Sequence, residues 1–276
     1  MKILKVINNN VVSSINEKKN EVVVMGKGIG FQKKIDDEID AEKIEKIFSL
    51  PEESANQFEM LVKDISYEMI DLAEDIICYA KKSLNRRLSK NIYITLTDHL
   101  NFAVERKKQA ISFQNALLWE IRKYYNEEYR LGLKAIEMVK ERIGIELSED
   151  EAGFIALHFV NAEIDGDMKK VTFMPVIIKD ILNIVRYTFS IEIDETTLSY
   201  ERFVTHLKFF LQRAVRNECY ESDDFGFNKD IQLRFSDAYQ CALKIKGYMN
   251  KKMKYCIADE EITYLTIHIS RIIRRG

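Results

Sequence analysis

Apolar residues follow two different patterns along this chain, and the change between them comes near residue 50. Before it, short β-branched runs alternate with turn residues: ILKVI (3–7), Asn8-Asn9-Asn10, VVSSI (11–15), the polar NEKKNE (16–21), VVVM (22–25) and GKGIG (26–30). Runs of four or five such residues bounded by Asn and Gly predict a small antiparallel sheet with tight turns. From Asp40 onward the pattern turns helical. Apolar positions at helical spacing predict helices over 57–85, 92–108, 111–126, 129–143 and 149–163, with the same pattern again over about 176–276. Pro51 marks the junction. The only other proline, Pro175, falls between the two helical stretches. Two prolines at two predicted boundaries leave the helices elsewhere uninterrupted.

The two helical stretches are copies of one another, and histidine reveals it. The chain has four histidines. His99 lies in TDHLNFAVERK (97–107) and His206 in VTHLKFFLQRA (204–214), an offset of 107 residues. His158 ends LSEDEAGFIALH (147–158) and His268 ends IADEEITYLTIH (257–268), an offset of 110 that needs one small insertion. The pattern predicts a multidomain α+β chain: a small antiparallel sheet at 1–56, then two homologous all-α helical bundles at 57–172 and 173–276.

Composition narrows the class. At 276 residues with 46% hydrophobic content the chain can form several packed cores. A net charge of −2 excludes a globally basic nucleic-acid binder. The charge is uneven, however: residues 1–34 hold seven lysines against two glutamates, whereas 36–45 hold six acidic residues against one lysine. Cys78, Cys219, Cys241 and Cys256 form no CxxC pair and read as reduced thiols of a cytosolic protein. The N-terminus reaches asparagines too soon for a signal-peptide stretch, and no apolar run approaches the roughly 20 residues that span a bilayer. A cytoplasmic protein is the expectation.

Two places carry candidate chemistry. In MGKGIGFQKK (25–34), glycines permit close backbone approach, and Phe31 is followed by Gln32, Lys33 and Lys34. A ring for stacking, amides for base edges and lysines for phosphates are what proteins use on irregular RNA. Two other readings compete: a glycine-rich hairpin with Phe31 in a small core, or a nucleotide-phosphate loop, although no P-loop Lys-Ser pair follows. The histidines are the second place. Imidazole titrates near neutrality, ligates metals and accepts phosphoryl groups. Each histidine has apolar neighbours, as a core histidine would. A metal site lacks HxxxH or HxxE spacing within a helix and any cysteine support. The retention of both histidines in both copies, while most neighbours differ, favours a function.

MKILKVINNNVVSSIN, VVVMGKGIGFQKK, TDHLNFAVERK, DEAGFIALHFVNAEI, THLKFFLQRA and EEITYLTIHI together resemble the BglG/SacY/LicT family of transcriptional antiterminators, over the whole chain. The resemblance implies a non-enzymatic protein without cofactor or metal. It would bind an RNA hairpin as a homodimer through its N-terminal domain and keep an overlapping terminator from forming, probing sugar supply through two regulation domains. It implies RNA contacts at Lys5, Asn8, Asn10, Gly26, Phe31 and Gln32. At Lys27 relatives often carry arginine, and lysine keeps the charge but loses the planar fork. It implies phosphorylation at His99, His158, His206 and His268 by the sugar phosphotransferase system. An EIIB component acting on the first domain would repress, and HPr acting on the second would activate. Asp98, beside His99, would orient or tune it; the second copy has Thr205 there. A phosphocarrier would use the same histidines but needs no basic sheet. A DNA-binding activator would need a helix-turn-helix where the first 40 residues read as strands.

Overall fold

The computed structural model describes residues 1–16, 20–48, 60–63, 65–218 and 227–273. The expected junction at Pro51, residues 57–59 of the first expected helix, and Cys219 lie outside the described residues. Contacts divide the chain into two compact units: 1–116 with 127–165, and 117–126 with 166–276.

The first unit begins with a four-stranded antiparallel sheet in the order β1 (Ile3–Asn8), β2 (Val11–Ile15), β3 (Glu21–Met25), β4 (Lys46–Phe48). Val11 pairs with Met25 and Ile15 with Glu21, and Val23 pairs with Phe48. Because side chains alternate along a strand, the sheet buries both faces. Val11, Val23, Met25 and Phe48 join the core of the following helices, while Val12, Val22 and Val24 pack with Ile3, Ile29 and Ile39 in a separate cluster. That double burial explains why VVVM is a continuous apolar run. β4 departs from the expectation that the chain is helical from Asp40: a three-residue strand is too short to show a period. The acidic run returns to the sheet, with Ile3 N–H donating to Asp37 O and Asp36 N–H to Ile3 O along the outer edge of β1.

The helices of this unit are α1 (Tyr67–Leu84), α2 (Ile92–Lys108), α4 (Asn126–Ile143) and α5 (Glu149–Ile164). The expected helix 57–85 is interrupted. Residues 60–63 are helical, but Ser66 then takes an extended conformation and caps α1 by accepting from Met69 N–H. Charged pairs fasten β4 to the helices: Lys46 reaches Asp71 at 2.5 Å and Glu74 at 2.6 Å, and Arg142 binds Asp71 and Asp75.

The second unit holds α3 (Leu118–Tyr124), α6 (Met168–Phe189), α7 (Leu198–Arg216), α8 (Phe227–Arg234), α9 (Ser236–Met253) and α10 (Asp259–Ile273). The expected helix 111–126 shrinks to α3, because the chain before it is irregular and Asn115 N–H bonds the Asp150 carboxylate instead of a preceding carbonyl. Pro175 was expected between elements; it lies inside α6. Without an N–H it leaves the Val171 carbonyl without its helical donor. Both residues are buried and the helix continues, so packing overrides the local preference. Residues 172 and 173, taken from the sequence as the boundary between the bundles, fall within this helix.

Candidate nucleic-acid interface and paired histidine sites

With both faces of the sheet covered, its rim is what remains for a ligand. Two loops build that rim. Gly26 N–H donates to Asn10 O, Gly30 N–H to Asn9 O, and Gly28 N–H to the Asn10 side-chain oxygen. Asn8 Oδ1 accepts from Asn10 N–H, and Asn8 Nδ2 donates to Val62 O. The loops can approach this closely only because glycine sits at two contacts. A Cβ on Gly26 would fall 1.7 Å from Lys43 O, and one on Gly30 would fall 2.3 Å from Asn8 O.

This geometry sorts the sequence candidates. Lys27, Phe31 and Gln32 are exposed in or just after the second of these loops, and Lys5 is exposed along β1, opposite Ser13. The Phe31 ring is 58% exposed, which rules out the small-core reading. Gln32 has a φ of 56°, in the left-handed region that non-glycine residues rarely adopt. Asn10 spends its oxygen on Gly28, and its amide nitrogen has no partner among the described residues. Gly26 is buried, its N–H donates to Asn10 O and its carbonyl accepts from Ile29 N–H, so it shapes the loop. Asn8 likewise acts first as a brace between the loops and residue 62.

The histidines form two pairs built to one plan. His99 on α2 and His158 on α5 have ring centroids 4.8 Å apart; His206 on α7 and His268 on α10 are 4.9 Å apart. A buried glutamate faces the first histidine of each pair. Glu151 Oε2 lies 3.2 Å from His99 Nε2, and Glu261 Oε2 lies 3.7 Å from His206 Nε2. An arginine holds each glutamate: Arg106 at 2.7 Å from Glu151 Oε1, Arg213 at 2.5 Å from Glu261 Oε1. Each site is therefore two imidazoles, a carboxylate and a guanidinium.

The signal for the four added residues stood in the sequence. Arg106 and Arg213 each follow the first histidine by seven positions, and Glu151 and Glu261 each precede the second histidine by seven. Seven residues are nearly two helical turns, so each pair shares a face. Asp98, expected to orient or tune His99, is exposed, without a partner among the described residues, and one position round the helix from the pair. The carboxylate beside His99 is that of Glu151.

Electrostatics favour the neutral form of His158, His206 and His268. Burial, with the neighbouring His99, pushes His158 down to about 3. Burial, with His268 and Arg213, pushes His206 down to about 4. Burial also lowers His268, helped by Arg271 and Arg202. Glu261 moves up, because its burial outweighs the Arg213 contact. A neutral imidazole has a nitrogen lone pair at pH 7 and is a competent phosphoryl acceptor. Among the described residues no three His, Cys, Asp or Glu side chains form a group fit to hold a metal ion, and no helix is long and apolar enough to cross a membrane.

Comparison with known proteins covers both places. Residues 1–57 match the CAT RNA binding domain family, and residues 74–162 and 179–272 each match the PRD domain family. The chain is 44% identical to transcription antiterminator LicT of Bacillus subtilis (strain 168), over the full length of both. It is 42% identical to the beta-glucoside operon antiterminator of Dickeya chrysanthemi, over 99% of this chain and 96% of that one. Among solved structures, the crystal structure of GlcT CAT-PRDI matches 59% of this chain and 97% of its own, at 39% identity and a TM-score of 0.52.

Proposed function

Since the chain belongs to the BglG/SacY/LicT family of PRD-containing transcriptional antiterminators, we propose that it binds an RNA hairpin through residues 1–56 and so prevents an overlapping terminator from folding in transcripts for sugar use, β-glucosides in particular. Histidine phosphorylation by the phosphotransferase system sets that activity. His99 and His158 take phosphate from a sugar-specific EIIB and repress; His206 and His268 take it from HPr and activate, by changing how two copies of the chain associate. The protein catalyses no reaction of its own and works in the cytoplasm.

The observation that carries the RNA reading is the exposed Phe31 ring, beside the exposed Gln32 and close in sequence to the exposed Lys27, next to a loop packed through two close-approach glycines. An aromatic ring offered to solvent among cations and amides is a stacking platform for unpaired bases. The described residues of the N-terminal region hold four strands and one short 3-10 turn, Ala41–Lys43, which disfavours the DNA-binding activator. A phosphocarrier would leave this rim without a use.

A gel shift of the full chain tests the reading. It should retard a hairpin with internal loops and leave matched duplex DNA free. Phe31→Ala should weaken hairpin binding about tenfold or more, from lost stacking. Lys5→Ala should weaken all hairpins alike and lower the salt slope by about 1. Equal affinity for hairpin and duplex DNA would overturn it.

A further inference from the structure

The two histidine pairs share a carboxylate and a guanidinium, but only the second has further arginines at hand. Arg202 precedes His206 by four residues on α7, and Arg271 follows His268 by three on α10. Both spacings bring side chains onto one helix face. Phe203, the neighbour of Arg202, stacks on His268 with centroids 6.1 Å apart, so this stretch of α7 lies against the second imidazole. Both arginines are exposed, and neither has an ion-pair partner among the described residues. Both act electrically on His268, since each helps to lower its proton affinity. At the matching places of the first copy, 107 and 110 residues earlier, stand Thr95 and the buried Asn161.

We propose that Arg202 and Arg271 form a phosphoryl-receiving site specific to the second pair, where they hold the phosphate carried by His206 or His268 as a dianion within the same domain. The proposal rests on the reading of these histidines as phosphoryl acceptors. Guanidinium groups bind phosphate oxygens in a fork geometry, and two free ones beside a buried acceptor leave a strong unmet demand for negative charge. Phosphorylation supplies about two negative charges. At the first pair the same charge meets Glu151 with one guanidinium that this carboxylate already occupies, so there it acts as an uncompensated anion. The other charged or titratable groups facing the second pair are Arg213 on α7 and Glu261, Glu260 and Tyr264 on α10. Arg213 is committed to Glu261, which leaves Arg202 and Arg271 for the newcomer.

The full chain can be phosphorylated with potassium phosphoramidate, without any protein donor. The imidazole lone pair attacks phosphorus, the P–N bond of the phosphoramidate monoanion breaks, and ammonia leaves with the ring proton. Two backgrounds isolate the pairs: His99→Gln/His158→Gln and His206→Gln/His268→Gln. Phosphorus-31 NMR then follows the ionisation of each phosphohistidine with pH. The second pair should ionise about one pH unit lower than the first, the shift expected of facing opposite charges. Arg202→Gln/Arg271→Gln should abolish that difference, while Arg202→Lys/Arg271→Lys should keep most of it. Phosphohistidine forming at the second pair with the same titration in the presence and absence of both arginines overturns the proposal and leaves the acceptor reading standing. Absence of phosphohistidine at both His206 and His268 overturns the acceptor reading, and the proposal with it.

Discussion

The two histidine sites have the same parts and different surroundings. In the first, Arg106 is 9% exposed at its side chain and lies between the rings of Phe102 and Phe113, with its guanidinium carbon 4.8 and 4.5 Å from their centroids. In the second, Arg213 is 24% exposed and grips Glu261 with both Nε and Nη2. The carboxylate is closer to its histidine in the first site, 3.2 Å against 3.7 Å. Burial disfavours protonation of the second histidine in one site, His158, and of both histidines in the other, His206 and His268. Duplication thus keeps a hydrogen-bonding frame and frees the charges around it to diverge.

The largest expected effect tests whether the buried pairs matter equally. Arg106→Met leaves Glu151 enclosed without its cation, which should cost about 3 kcal/mol of stability, as broken buried pairs do. Arg213→Met should cost more, because the carboxylate it strands, Glu261, has a side chain 1% exposed against 8% for Glu151. The double change Arg106→Met/Glu151→Leu should recover most of the loss by removing both charges together. Urea denaturation of the unit-specific transitions measures all three. Equal costs at the two sites would break the comparison.

Next in size is the dependence on pH. His158 and His206 bind protons less readily in the folded chain than in the unfolded one. Below about pH 6.5 the unfolded state therefore takes up protons that the native state refuses, and stability falls as pH drops toward 4. The contribution is fully present above pH 7. Calorimetry should show the transition temperature falling across this window, with a loss of roughly 2–3 kcal/mol for each of the two histidines by pH 4.5. His206→Asn should flatten the response of the second unit and leave that of the first. A flat profile in the parent chain would show that the imidazoles are solvated.

Much of this was legible in the sequence, at the level where periodicity operates. α2 coincides with its expected span, 92–108, and α5 ends one residue beyond its own. The three longer strands follow from β-branched runs between asparagines and glycines. What periodicity missed depends on tertiary contacts. β4 is three residues long and owes its existence to Met25 and Val23 across the ladder. Pro175 is tolerated inside α6 by the burial around it. The histidines were visible because their type is rare here. Their carboxylate partners left a fainter mark, the seven-residue spacing that Glu151 and Glu261 share, because glutamates are common and the fold is what separates Glu151 from the acidic residues around it. Proximity in sequence pointed to Asp98 instead.

That contrast yields the smallest expected effect. Asp98 and Glu151 are both carboxylates near His99, one by sequence and one by space. Adjacent residues on a helix lie about 100° apart, so Asp98 points away from the face that His99 shares with Arg106. It is exposed, and water solvates it in the folded and unfolded chain alike. Asp98→Asn should therefore change stability by no more than about 0.5 kcal/mol, and Thr205→Asp should do as little at the matching place in the second copy. Glu151→Gln, by contrast, leaves the Arg106 guanidinium without its charged acceptor in a site sealed by Phe102 and Phe113, and should cost more than 1 kcal/mol. Measured side by side by urea denaturation, the three variants separate neighbourhood along the chain from neighbourhood in the fold. A loss at Asp98→Asn equal to that at Glu151→Gln would return the orienting role to the residue beside the histidine.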